Sequence, residues 1–92
     1  MISADTKPCI ASKARLRYDR IANRYMLLFP EKGLVLNPTA AEIAKLCTGE
    51  HSVAAIVSQL ASRYGKDATE IESEVMKFLT ALSERGLLKE AD

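Results

Sequence analysis

The front of the chain alternates polar and apolar residues, and the rest repeats apolar residues at helical spacing. Residues 15–20 alternate strictly, which is the period-two pattern of a half-buried strand. Residues 25–29 are continuously apolar and predict a more central strand, and residues 34–36 predict a third. The turns at Asn23 and at residues 30–33 are too short for parallel crossovers, so we predict a three-stranded antiparallel meander.

From residue 38 onward the pattern predicts three helices. Two starts fit the first helix: Thr39 as N-cap with Glu42 reaching back to it, or Asn37 as N-cap with Pro38 as the first helical residue. The sequence does not separate these alternatives. The second helix follows Ser52, a residue type that is common at N-caps.

The third helix is predicted from residue 68 or 69, where Thr69 and Glu72 offer a further capping box. Residues 87–89 form a last extended piece. The apolar stripe of this helix is Ile71, Val75, Phe78, Leu79 and Leu82. The order of elements predicts an α+β fold, a winged helix-turn-helix-like arrangement with a three-stranded antiparallel sheet followed by three helices.

The chain has 92 residues, which predicts one domain. Residues 1–14 are small and polar and are predicted to form a flexible N-terminal arm, with the folded domain over residues 15–92. Residues 1–37 contain seven Lys/Arg and three Asp/Glu, a net charge of +4, whereas residues 38–92 have a net charge of −3. The front part therefore suits an anionic partner better than the rest.

The sequence contains no apolar run near 18 residues and no apolar segment at its start, so we predict neither a membrane span nor a secretory signal. Cys9 and Cys47 are far apart in the chain, and without export they are expected to be idle thiols. These observations predict a cytoplasmic protein.

The candidate residues for catalysis are few. His51 is the only histidine and lies in a turn, so neither a metal-ligand set nor a nucleophile with its base can be assembled. The four glycines are scattered and form no phosphate-binding loop. We predict that the protein is not an enzyme and uses neither a metal nor another cofactor.

A winged-helix arrangement also suggests a DNA-binding regulator, whose third helix would enter a groove of the duplex. That helix is acidic, and its carboxylates would repel phosphates. Its charged residues are Glu70, Glu72, Glu74 and Glu84 against Lys77 and Arg85. We predict no nucleic-acid partner, and DNA binding remains the alternative.

The third strand is unusual for an edge strand because residues 34–36 are all apolar, with no charge or proline among them. Natural proteins generally protect such edges from pairing with other strands. Another segment of this chain, a second copy in a homodimer or a partner peptide adding a strand would each cover the edge. The pattern alone leaves these three alternatives open.

Four stretches of the sequence resemble a known family. They are RLRYDR, LLFPEKGLVLNPTAAEI, CTGEHSVAAIVSQLASRYG and EVMKFLTALSERGLL, and together they extend from about Arg15 to Leu88, four-fifths of the chain. The most specific part is the Pro–Glu turn followed by Leu36, Asn37 and Thr39. On these residues the sequence resembles the PqqD family, the peptide chaperones of pyrroloquinoline quinone (PQQ) biosynthesis, which are RiPP recognition elements for ribosomally made, modified peptides.

The resemblance implies a noncatalytic domain that binds the leader of the precursor peptide PqqA and presents it to the radical-SAM enzyme PqqE. A recognition element of another peptide-modification pathway is a further alternative. In such domains the leader adds as a strand to the third strand and lies against the third helix.

Carried over by position, this resemblance implies that one sheet edge and one flank of the third helix bind the peptide. The edge residues are Lys32, Gly33, Leu34, Val35, Leu36 and Asn37. On the helix we predict Met76, Leu79 and Ser83, because a flexible methionine at the margin of an apolar stripe suits an adaptable pocket.

Overall fold

The chain folds in the predicted order, with one additional strand at its start. The computed structural model describes residues 2–30 and 32–91. The elements are β1 (Lys7–Ile10), β2 (Arg15–Asp19), β3 (Arg24–Phe29), β4 (Lys32–Leu36), α1 (Pro38–Leu46), α2 (Val53–Tyr64), α3 (Ala68–Glu84) and β5 (Leu88–Ala91). The α+β, winged-helix-like prediction is confirmed, including the three-stranded antiparallel sheet ahead of three helices. Glu31, within the predicted turn of residues 30–33, lies outside the described residues.

The main sheet has the order β2-β3-β4, and both pairs are antiparallel. Leu27 in β3 lies opposite Leu16 in β2 and Leu34 in β4. These three side chains share one face because side chains alternate across a strand. Leu27 is fully buried, and the other two pack around the same core cluster, so this face of the sheet covers the helices.

The predicted flexible arm over residues 1–14 is wrong for β1. Lys7 to Ile10 pairs antiparallel with β5, and Pro8 is fully buried. Further backbone bonds fix the segment: the Ala11 N–H donates to the Leu87 carbonyl at 2.8 Å, and the Ile10 N–H donates to the Cys47 carbonyl at 3.2 Å. These main-chain bonds and the packing of Ile10 against the core attach a segment too short to show a hydrophobic period in its sequence.

The helix starts resolve the capping alternatives. Asn37 caps α1, and its side-chain oxygen accepts from the Ala40 N–H at 2.8 Å. Asp67 caps α3 by accepting from the Thr69 N–H, also at 2.8 Å, so the predicted capping box of Thr69 is wrong. Ser52 caps α2 as predicted. In each case the cap is the polar residue just before the first helical turn, where the amide groups have no helical partners.

The core consists of two adjoining clusters. One lies among the three helices and contains Ile43, Ile56, Leu60, Val75 and Leu79 among others. The other joins the main sheet to the helices and contains Leu27, Leu36, Ala41, Leu82 and Leu87 among others. Phe78 was predicted in the centre of the α3 stripe, but it is half-buried and packs against both clusters. Phe78 therefore lies at the margin between core and surface.

A cluster of charged residues connects α1 to α2 and to the main sheet. Glu42 pairs with Lys45 on the next turn and with Arg63 of α2. The hydrogen bond from Lys45 lowers the pKa of the Glu42 carboxyl, and Arg63 adds to this effect. The Lys45 ammonium also lies 4.5 Å from the centre of the Tyr25 ring in β3, a cation–π contact. These contacts connect α1 to α2 and to β3 at the protein surface.

The Asn37 cap can be tested against the rejected alternative at Thr39. We expect Asn37→Ala to lower the free energy of unfolding by about 1 kcal/mol, because the Ala40 N–H loses its acceptor. Thr39→Ala serves as the matched control and should change it by less than about 0.5 kcal/mol. Urea unfolding followed by circular dichroism measures both. Equal losses in the two variants would contradict the assignment.

Candidate functional site

The main sheet has two outer edges, formed by β2 and β4, and the candidate site lies at the edge of β4. In the part of the chain that the structure describes, β4 pairs with β3 on one side and with no strand on the other. Two residues separate Phe29 from Lys32, which face each other at the end of the hairpin. Such a closing pair is hydrogen-bonded, and bonded pairs alternate along an antiparallel ladder. Gly33 and Val35 therefore direct their N–H and C=O groups towards the open edge.

The side chains of β4 divide between two faces. Leu36 is buried and Leu34 is half-buried, and both pack with the core cluster beneath the sheet. Val35 points the other way and exposes 48% of its surface. The sequence predicted an apolar strand available at a sheet edge. In the structure, the groups of β4 that are free to form hydrogen bonds at this edge belong to the backbone.

A groove runs between the start of α1 and one flank of α3. Its lining residues are Asn37, which directly follows β4, and Ala40, Ile43, Glu74, Lys77 and Phe78. A second hollow continues along α3 towards its N-terminus and shares Asn37 and Glu74 with the first. Phe78 supplies an apolar wall, while Glu74 and Lys77 place opposite charges at the rim.

The predicted α3 residues do not line this groove. Leu79 is fully buried in the helical core cluster, with 0% of its surface exposed, so its side chain is structural. Met76 is half-buried and packs against the same cluster, and Ser83 is exposed. At about 100° per residue, Met76 is separated from Glu74 by about 200° around the helix. The prediction of Met76 and Ser83 therefore selected the opposite flank of the buried stripe.

Sequence reasoning missed Glu74, Lys77 and Phe78 as groove residues. The helical spacing placed residues on both flanks of the stripe, and nothing in it says which flank faces β4. The deciding signal is the packing of α3 across α1, which is a tertiary contact. The position of Phe78 on the stripe, one turn after Glu74, was the only local indication that a large apolar side chain lies near this flank.

The described residues offer little for catalysis. Residues 2–30 and 32–91 contain no group of three or more His, Cys, Asp or Glu side chains placed to hold a metal ion. His51 lies in the connection between α1 and α2. Burial, with a smaller effect of Cys9, raises the pKa of the Cys47 thiol to about 12, which suppresses its nucleophilic thiolate form.

Among the described residues, every helix is too short or too polar to span a bilayer.

Residues 24–88 match the family model described as coenzyme PQQ synthesis protein D, PqqD. This chain belongs to the PqqD family. A relative in Rhodopseudomonas palustris (strain BisB5), named PqqA binding protein, is 39% identical over 90 residues, which are 98% of this chain and 88% of the relative. A protein of the same name in Xanthomonas campestris pv. campestris (strain B100) is 35% identical over 88 residues, 96% of each chain. The resemblance predicted from the sequence is confirmed.

Solved PqqD structures have the same fold. The solution structure of the PqqD truncation of Methylobacterium extorquens PqqCD, described as a functional and stand-alone RiPP recognition element, has a TM-score of 0.83 and 30% identity, covering 97% of this chain and 95% of that one. The crystal structure of PqqD from Xanthomonas campestris has a TM-score of 0.62 and 35% identity, covering 97% and 99%. TbiB1, solved in complex with the TbiA(beta) leader peptide, shares the fold at a TM-score of 0.75 and 20% identity, covering 88% and 94%.

The protected thiol of this PqqD-family chain gives a test of its packing. The pKa of Cys47 is about 12 in the fold against an ordinary value of 9.0, so its thiolate fraction at pH 8 is about a thousandfold smaller in the folded protein. In a Cys9→Ser variant, which keeps the burial of Cys47 but removes the smaller effect of Cys9, we expect Ellman's reagent to modify Cys47 at least about a hundredfold more slowly in buffer than in denaturant.

The sign of the accompanying pH effect follows from the raised pKa. Below pH 9 the stabilisation is complete, and it is lost as the pH rises from 9 towards 12, because the unfolded chain releases the thiol proton first. Rapid modification of the folded Cys9→Ser variant at pH 8 would contradict the buried position of Cys47.

Proposed function

We propose that this chain binds the leader of the precursor peptide PqqA by strand addition to β4 and presents it to the radical-SAM enzyme PqqE in PQQ biosynthesis. The open edge of β4, which is followed directly by Asn37 in the lining of a groove with an apolar wall, is the observation on which this proposal depends. Membership of the PqqD family and relatives named PqqA binding protein support it. In this proposal the protein itself performs no chemical step.

Backbone pairing would align the leader. Gly33 and Val35 offer two N–H and two C=O groups, hence up to four new hydrogen bonds. At about 0.5–1.5 kcal/mol net for each bond, the total is about 2–6 kcal/mol. Ordering a disordered peptide costs about 2–5 kcal/mol or more. The backbone bonds therefore approximately offset the ordering cost and do not by themselves produce tight binding.

Side chains of the leader would supply the net affinity. Alternate residues of an added strand point towards the groove beside Phe78, and each apolar side chain that becomes fully buried there contributes roughly 1.5–3 kcal/mol. The charges of Glu74 and Lys77 at the rim would select the neighbouring polar residues of the leader. The sequence-predicted residues Met76 and Ser83 remain a competing hypothesis for the helix contact.

Presentation of the peptide would act through proximity. A leader held by this domain while the domain contacts PqqE would raise the effective concentration of the peptide core at the enzyme, commonly to the millimolar range for a short flexible connection. We place this function in the cytoplasm. The free thiols of Cys9 and Cys47 support that location because a reducing compartment keeps cysteines unpaired.

The DNA-binding alternative is less well supported. The flank of α3 beside the groove carries Glu70 and Glu74, which would face phosphates if α3 entered a duplex. A second copy of the chain pairing through β4 would be a competitor for the leader rather than a separate function.

A leader titration tests the proposed site. Adding synthetic PqqA leader to the ¹⁵N-labelled protein should shift the amide signals of β4 and of residues 74, 77 and 78. If the shifts on α3 concentrate at Met76 and Ser83 instead, the sequence-based choice of flank is correct. Changes restricted to α2 would contradict the site altogether. Solution mass measured with and without leader shows whether a dimer dissociates as the peptide binds.

A proline in β4 tests strand addition directly. Val35→Pro removes an N–H that faces the open edge without removing a bond to β3, so we expect the fold to persist and leader affinity to fall about tenfold. Val35→Ala keeps the N–H and serves as the control, with affinity expected within about twofold of the parent. Isothermal titration measures both. Equal affinity of the proline variant, with an intact fold, would exclude strand addition at this residue.

A further inference from the structure

The face of the main sheet opposite the helices is apolar and basic. We define the outer face as Arg15, Arg17, Met26, Leu28, Gly33 and Val35, which alternate with the core-facing residues of β2, β3 and β4. Arg17, Met26 and Val35 form one row across the three strands, and Arg15, Leu28 and Gly33 form the next. Among the described residues, the proposed leader site uses none of the β2 and β3 side chains on this face.

The apolar part of the outer face is continuous. A Cβ atom at Gly33 would lie 3.1 Å from the Met26 Cε and 3.2 Å from the Leu28 Cδ2, so these two side chains close over the glycine. Ile21, at the tip of the β2–β3 hairpin, is 99% exposed and lines the same hollow as Arg17, Met26 and Leu28. Exposed isoleucine beside half-buried methionine and leucine is a surface that a partner can desolvate.

The basic part of this surface keeps a net positive charge, although Asp19 lies opposite Arg24 and lines the same hollow as Arg17. Residues 15–24 contain four arginines and one acid, Asp19, which gives a net charge of +3. Asp19 accepts hydrogen bonds from the backbone N–H groups of Ile21 and Ala22. The ion pairs found over residues 2–30 and 32–91 join Glu42 to Lys45 and Arg63, and none involves these arginines.

We propose that the outer face docks an acidic, partly apolar surface of the enzyme that modifies the peptide. This inference rests on the proposed function, because a presenting protein needs a second surface that stays available while the groove is occupied. Arginine and methionine are among the residue types that are enriched at protein interfaces. Here they occur together on the face that points away from the groove.

Charge distinguishes this occupant from two others. A symmetric dimer through the outer face would bring two hairpins of +3 together, and like charges would oppose it. A nucleic acid would meet a chain with a net charge of only +1 and an acidic α3, which is a weak basis for phosphate binding. An acidic protein surface benefits from the local charge without contacting α3.

The leader itself would extend the docking surface. A strand added at β4 continues the sheet, so every second leader side chain lies beside Val35 on the outer face. Five residues of strand are about 16 Å long, and three strands are about 10 Å across. The area of a face with these dimensions is well below the roughly 800 Å² per partner that a stable interface buries. We therefore expect weak binding of the enzyme to the free protein and stronger binding to its complex with leader. By linkage, the enzyme then strengthens leader binding by the same factor.

A charge reversal on the outer face tests the inference, with PqqE as the probe. Arg17→Glu should weaken PqqE binding to the leader complex about tenfold at low salt, because one of the positive charges of the face is inverted. Lys7→Glu makes the same charge change on β1, outside the outer face, and should leave PqqE affinity within about twofold. Leader affinity, measured without PqqE, should stay within about twofold in both variants.

The outcomes separate this inference from the proposed function. If leader binds all variants equally and Arg17→Glu affects PqqE no more than Lys7→Glu does, the docking face is wrong while leader binding stands. Failure of PqqE to bind the parent complex also overturns the docking inference. If Arg17→Glu weakens leader binding without PqqE, or converts a dimer into a monomer, the face serves the peptide or a second copy instead. If the parent protein does not bind the leader, the proposed function itself is refuted.

Discussion

A single residue separates β4 from α1, and most of the site depends on this short junction. Leu36 ends the strand in the core, Asn37 caps the helix, and Pro38 begins it. The chain therefore turns directly from β4 into α1, which lies against the core-facing side of the sheet. This turn places α1 beneath the sheet, and α3 packs across α1. Without it, the chain could continue past β4 and cover the edge.

The junction also explains how one small domain has two usable surfaces. The groove lies on the helix side of β4, where Asn37 belongs both to the cap and to the lining of the groove. The outer face lies on the other side of the same strand. Because side chains alternate along β4, Leu34 serves the core while Val35 serves the outer face, and the backbone between them remains available at the edge. The five residues of β4 thus contribute to the core, to the outer face and to the open edge, and each contribution uses different atoms.

Sequence periodicity predicted the elements whose stability depends on burying a face. The meander and three helices follow from alternation and from helical stripes, and Leu36 and Asn37 were recognised as the end of a strand. The arrangement of those elements was harder to predict. β1 is attached largely by main-chain bonds to β5 and to the residues around Cys47, which no side-chain period reveals. On α3, Met76 and Glu74 flank the same stripe, and only the tertiary packing distinguishes their surroundings.

The pairing of β1 with β5 has a consequence for how the chain folds. Lys7 lies opposite Ala91, so this two-stranded sheet joins segments from near the two ends of the sequence, whereas β2, β3 and β4 pair through short hairpins. Contacts that close long loops carry the larger entropy cost and tend to form late. The meander and the helices can assemble as soon as they are synthesised, while β1 has to wait until β5 has left the ribosome. Until then, residues 7–10 have main-chain partners only among the residues around Cys47.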